Sequence, residues 1–98
     1  MPGERAWVHP QAVAEARAAR EWYQARNAEA AEAFIAELDS ALERIEEAPR
    51  QWPPYLGATR RYLLRRFPFF VVFRETEGGV EVLAVAHAHR RPGYWVGR

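Results

Sequence analysis

Ninety-eight residues with a formal net charge of +1, no cysteine and 49% apolar residues describe one small domain spanning residues 1–98, since a single core typically uses roughly 100 to 200 residues. The lack of cysteine excludes a disulfide scaffold and a cysteine-based zinc site and fits a reducing compartment, so the expected location is the cytoplasm. No run approaches the roughly 18 apolar residues of a membrane span, and MPGERAWVHP lacks the basic start and apolar stretch of a signal peptide; no membrane attachment is expected.

All 14 basic residues are arginine, and they are unevenly placed. Residues 1–49 carry five arginines against ten acidic residues, and residues 50–98 carry nine against three. A basic second half favours an acidic or polyanionic partner.

In chain order, Arg5–Val8 reads as a short β segment ended by His9 and Pro10, and Pro10 suits the first position of a helix, where its missing N–H is unpaired anyway. From Gln11 to Arg26 strong helix formers continue, with Ala12, Ala16, Ala19 and Tyr23 on one face and Trp22 beside it. Asn27 is the natural cap of a second helix running to about Ala48. Its stripe is Ala31, Phe34, Ile35, Leu38, Ala41, Leu42 and Ile45, and Pro49 stops it. The two helices form an αα-hairpin.

Residues 49–59, with three prolines and one glycine, form a surface connection that Trp52 and Tyr55 pin to the core. Strands follow at Arg60–Arg66, Phe69–Glu75 and Val80–His87, with Glu77, Gly78 and Gly79 as the turn between the last two. In the middle strand Phe69, Val71 and Phe73 share one face and Phe70, Val72 and Arg74 the other, so both faces look covered, as expected of a central strand under helices. The predicted class is α+β, in the order β-α-α-β-β-β, with a helical hairpin on a small, mainly antiparallel sheet.

Two basic groups are candidates for chemistry. Around the first strand of the meander, period-two alternation sends Arg61 and Arg65 to one face and Arg60 and Arg66 to the other. Guanidinium pairs beside aromatics suit phosphate clamping, base stacking or an acidic peptide; the competing role is protection of an edge strand by charge. The tail HAHRRPGYWVGR gathers His87, His89, Arg90, Arg91, Tyr94 and Trp95 just after the last strand. There a histidine can act as a base, an arginine can stabilise phosphate charge and Tyr94 can stack or donate a proton. The competing role is packing, with Pro92, Tyr94 and Trp95 locking the tail to the sheet. His87 and His89 with only distant His9 leave a metal set incomplete, and no phosphate loop or paired aspartates occur, so neither metal nor cofactor is expected.

EARAAREWYQARN, FIAELDSALERIEEAP, RRYLLRRFPFFVVFRE and the ending VLAVAHAHRRPGYW carry a resemblance over nearly the whole chain. The sequence resembles the RelE/ParE superfamily of type II toxin–antitoxin toxins, most closely the ParE-like members labelled plasmid stabilisation proteins. The resemblance implies a growth-inhibiting toxin encoded beside a cognate antitoxin, whose disordered segment folds over it and which alone contacts operator DNA. A homodimer or a toxin–antitoxin hetero-oligomer is compatible with it. For the antitoxin we expect an amphipathic helix against the hairpin and a strand added at a sheet edge, with an acidic segment meeting the arginines.

Within that superfamily, ParE-like members poison DNA gyrase, whereas RelE-like members cut messenger RNA on the ribosome. The gyrase reading assigns target binding to Arg61, Arg65, Arg90, Arg91, Tyr94 and Trp95. The endoribonuclease reading assigns catalysis to His87, Arg65, Arg90 and Tyr94. The segment FPFFVVF places Phe69 and Phe70 where nuclease members present a basic residue, and lysine is absent throughout, which weakens the nuclease assignment. A third reading is an inert toxin relic acting as an antitoxin-binding and regulatory module.

Overall fold

The computed structural model describes residues 5–98. In chain order the elements are β1 (Arg5–Val8), α1 (Pro10–Gln24), α2 (Ala28–Glu47), a 3-10 turn (Pro49–Gln51), β2 (Arg60–Leu63), β3 (Phe69–Thr76) and β4 (Gly79–His87). This is the α+β order read from the sequence. Among the described residues no helix is long and apolar enough to cross a membrane.

Local chemistry sets the helix ends. Pro10 opens α1, and the His9 ring accepts the Gln11 N–H at Nδ1, 3.0 Å away. Asn27 separates the helices: its Oδ1 accepts from the N–H groups of Glu29 and Ala30 at 2.8 and 3.1 Å, satisfying two orphan donors of α2. Ala12 and Ala19 are buried, and their small side chains let α1 lie close to α2 and β4. Phe34, Leu38, Ala41 and Ile45 carry the buried face of α2.

The sheet order is β1-β4-β3-β2. β2, β3 and β4 form the expected antiparallel meander, and β1 adds in parallel to β4, with Ala6 opposite Val80 and Val8 opposite Val82. The helical hairpin packs on one face, over Val71, Phe73, Val80, Val82 and Val85.

Within β4 the face rule changes at one residue. Val72 is opposite Ala84 while Phe73 is opposite Val82, so Leu83 is an extra residue, a β-bulge. Before it, Val80 and Val82 face the helices; after it, Leu83, Ala84 and Ala86 belong to the opposite face and Val85 returns to the helices. The bulge therefore turns Val85 and His87 toward α1. Strict alternation from Val82 would have sent both away.

The second face is covered too, and there the tail takes the packing role that competed with chemistry in the sequence reading. Here the cover is the C-terminal tail and the proline-rich loop: Trp95 is only 2% exposed, stacks on Tyr55 at 5.7 Å and meets Phe70 edge-on at 6.4 Å. Gly93, at φ +85°, gives the tail the left-handed turn that brings Trp95 back onto the sheet. The loop is pinned as expected, with Trp52 against Tyr62 at 4.6 Å and Tyr55 against Phe70 at 5.7 Å.

One correction concerns β2, expected to run to Arg66. It stops at Leu63, because the Glu37 carboxylate of α2 accepts the backbone N–H groups of Arg65 and Arg66 and draws the chain out of the ladder. Alternation no longer applies there: Arg61 stays on the second face, over Tyr55 and Phe70, and Arg65 lies on the α2 side.

Both layers carry stability. Phe73→Ala, at a fully buried site, should cost about 3–5 kcal/mol, and Trp95→Ala a similar amount, in urea unfolding. A loss within about 0.5 kcal/mol for Trp95→Ala would make the tail a solvated appendage.

Candidate functional site

Beyond Val82, β4 has lost its neighbour, because β1 ends at Val8. Polar groups on that edge must find other partners. Glu15, one turn into α1, accepts the Val85 N–H at 3.0 Å, and Arg98 Nη1 donates to the Leu83 carbonyl at 3.0 Å. The same arginine reaches both Glu15 oxygens, at 3.1 and 3.0 Å. That fork is largely shielded, with side chains 15% and 14% exposed, which separates it from exposed pairs of little net worth.

Above this fork lies a half-open cavity of about 430 Å³ between α1 and the end of the β3–β4 ladder. Ala18, Ala19, Trp22, Tyr23, Phe69 and Val85 supply its apolar wall. Its polar end is Glu15, His87, Arg90 and Tyr94. The His87 ring lies edge-on to Phe69 at 5.0 Å, and its Nδ1 accepts the His89 N–H at 3.1 Å, which leaves Nε2 free. The Arg90 guanidinium sits 3.9 Å from the centre of the Tyr94 ring and 3.8 Å from Glu15. The Tyr94 hydroxyl is buried without a hydrogen bond of good geometry. Burial first, then the neighbouring Glu15 carboxylate, pushes its pKa well above the usual value of 10, against an opposing pull from Arg90 and Arg98.

Of the four nuclease candidates, His87, Arg90 and Tyr94 therefore meet at one cavity. Arg65 does not: it lines a separate polar groove with Glu37, Ser40, Arg44, Tyr62 and Arg66. The target-binding set is likewise divided. Arg61 stacks over Tyr55 on the second face, Arg90 is at the cavity, Arg91 is exposed and Trp95 is enclosed in the second core. Glu15 and Arg98 escaped the sequence reading. Glu15 is one of several glutamates on helical faces, and only the bulge and the short β1 give it an edge to cap.

Residues 8–92 match the family model described as ParE toxin of type II toxin-antitoxin system, parDE. The chain belongs to this family. Among curated relatives, Toxin ParE2 of Mycobacterium tuberculosis, in strains CDC 1551 / Oshkosh and ATCC 25618 / H37Rv, is 33% identical over 55 residues. That match covers 56% of this chain and 52% of the relative, so the chain spans about half the length of the curated relatives it matches. A solved structure of the chromosomal ParDE TA system from P. aeruginosa superposes with a TM-score of 0.76 at 18% identity, covering 86% of this chain and 95% of that one. It shares the fold.

Two changes test the geometry of the cavity in this ParE-family chain. Glu15→Ala removes the acceptor of Val85 and the partner of Arg98 together and should cost about 2–4 kcal/mol in urea unfolding. Alkali acts through Tyr94, and through Tyr23, whose pKa burial also raises. Both stay protonated in the folded chain above about pH 10, where the unfolded chain has released those protons. The native state then binds more protons, so stability is full below about pH 10 and falls as pH rises through the folded values. Tyr94→Phe should flatten that fall in denaturation measured across alkaline pH.

Proposed function

We propose that this ParE-family toxin arrests bacterial growth by acting on DNA gyrase in the cytoplasm and is held inactive by a cognate antitoxin. The observation that carries the target assignment is the divided nuclease set. An RNA-cleaving site needs its base and its charge stabilisers around one phosphate, and Arg65 lies in the α2 groove, away from the cavity that His87, Arg90 and Tyr94 share. The Tyr94 hydroxyl, its pKa raised by burial, is a weaker proton donor than an ordinary tyrosine. Arginines on several faces, Arg65 and Arg91 exposed and Arg61 half-buried over Tyr55, suit a binding protein that grips a large partner at more than one place.

A ribosome-dependent endoribonuclease is the second reading, favoured by the meeting of His87, Arg90 and Tyr94 at one cavity. Induction from a tightly repressed promoter separates the two. Thymidine incorporation should fall within minutes, before leucine incorporation, and purified protein should trap gyrase on cleaved plasmid DNA. An earlier fall in leucine incorporation, with mRNA cut on programmed ribosomes, would replace gyrase by the ribosome as the target. No arrest at all would leave the relic reading. Co-expression with the neighbouring short reading frame should restore growth and raise the melting temperature of the toxin.

A further inference from the structure

The cavity between α1 and the β3–β4 ladder has features of a small-ligand site that the gyrase reading does not use. Its size, about 430 Å³, lies within the range of ligand pockets, and its wall is mostly apolar with a few polar groups gathered at one end. The wall offers flat surfaces: Trp22 and Tyr23 meet edge-on at 5.1 Å, and Phe69 lies edge-on to His87 at 5.0 Å. These are shapes that receive a ring or a branched apolar group.

Charge at the polar end is unbalanced. One carboxylate, Glu15, faces two guanidinium groups, and it is already taken at both oxygens by Arg98 at 3.1 and 3.0 Å. Arg90 stands at 3.8 Å with its side chain 56% exposed, so it is a loose second partner. It is held mainly by lying on the Tyr94 ring. A guanidinium placed this way can turn to a second anion without unpairing Glu15. The uncommitted Tyr94 hydroxyl is at the same end.

We infer that this cavity binds a monoanionic aryl- or alkyl-carboxylate, its apolar part against Trp22, Tyr23 and Phe69 and its carboxylate on Arg90. The inference does not rest on the gyrase reading. Free acids and an acidic residue beside an aromatic one in a partner polypeptide share this chemistry.

Nitrogen-15 NMR titration of the purified chain tests it with three probes: hydrocinnamate, its neutral amide, and the dipeptide N-acetyl-Phe-Asp-amide. Hydrocinnamate should shift the Trp22 indole N–H and the amides of Val85 and His87, and should bind about tenfold more tightly than the amide. Arg90→Gln should abolish that preference while leaving the weak apolar binding, and Ala18→Trp, at an exposed helix position on the cavity wall, should block both. Binding of the free acid alone assigns the site to a small acid, and tighter binding of the dipeptide assigns it to a polypeptide; either supports the inference. Equal binding of acid and amide, shifts confined to other regions, or no shift with any probe overturns it. Toxicity is not read in this experiment, so failure here leaves the gyrase proposal standing and failure there leaves this one.

Discussion

The sheet of this protein is finished by carboxylates from its helices. β-Strands that lose a neighbour leave N–H groups that must be satisfied, and in three places a glutamate supplies the acceptor. Glu15 takes Val85 where β4 outruns β1; Glu46 takes Ala6 on the edge strand β1; Glu37 takes Arg65 and Arg66 where the chain leaves β2. Each bond fixes a helix against a strand end. Apolar packing alone, which has no preferred direction, would not fix the register of helix against sheet so narrowly. The same bonds blunt the β1 edge, since a partner strand that took the Ala6 N–H would first have to displace Glu46.

Glu15 does the most, because it also holds Arg98 and so draws the tail back to α1. The tail is then fixed at both ends of its hydrophobic run. Trp95 fills the second face, and Arg98 closes on the first helix. Tyr94, next to Trp95, is held by the first of these anchors, and its ring is the surface on which Arg90 lies. The bulge at Leu83 is the other half of the arrangement: without its change of parity His87 would point to the second face and the cavity would lose its imidazole.

Sequence periodicity made the helices readable almost to the residue, because Pro10, Asn27 and Pro49 act locally on the backbone next to them. The meander was readable too, since Phe69 to Phe73 alternate cleanly. What periodicity does not carry is long-range. The bulge has no marker residue in VEVLAVAH, and the end of β2 is set by Glu37, 28 positions upstream of Arg65. LLRR continues a plausible strand until a carboxylate from another element competes for its N–H groups. The tail was legible as distinctive, with the packing of Trp95 among its readings, but the tie of Arg98 to Glu15, 83 positions upstream, was not.

Such ties bear on how a chain with a basic second half meets its partners. Counted along the sequence, the arginines look like one surface; in the fold, several are spent on structure. Arg66 pairs with Glu37, Arg74 with Glu81, Arg50 with Glu75, Arg98 with Glu15, and Arg60 binds the carbonyl of Trp52. Those that keep charge to spare are dispersed over the second face, the α2 groove and the cavity mouth. A single phosphate or a single acidic helix cannot engage all three. A large partner or an enveloping one can, with modest contributions from each place, and specificity then comes from the geometry among them. In that arrangement the carboxylates that place the arginines matter to recognition as much as the arginines themselves, because moving Glu37 or Glu15 moves a contact without removing its charge.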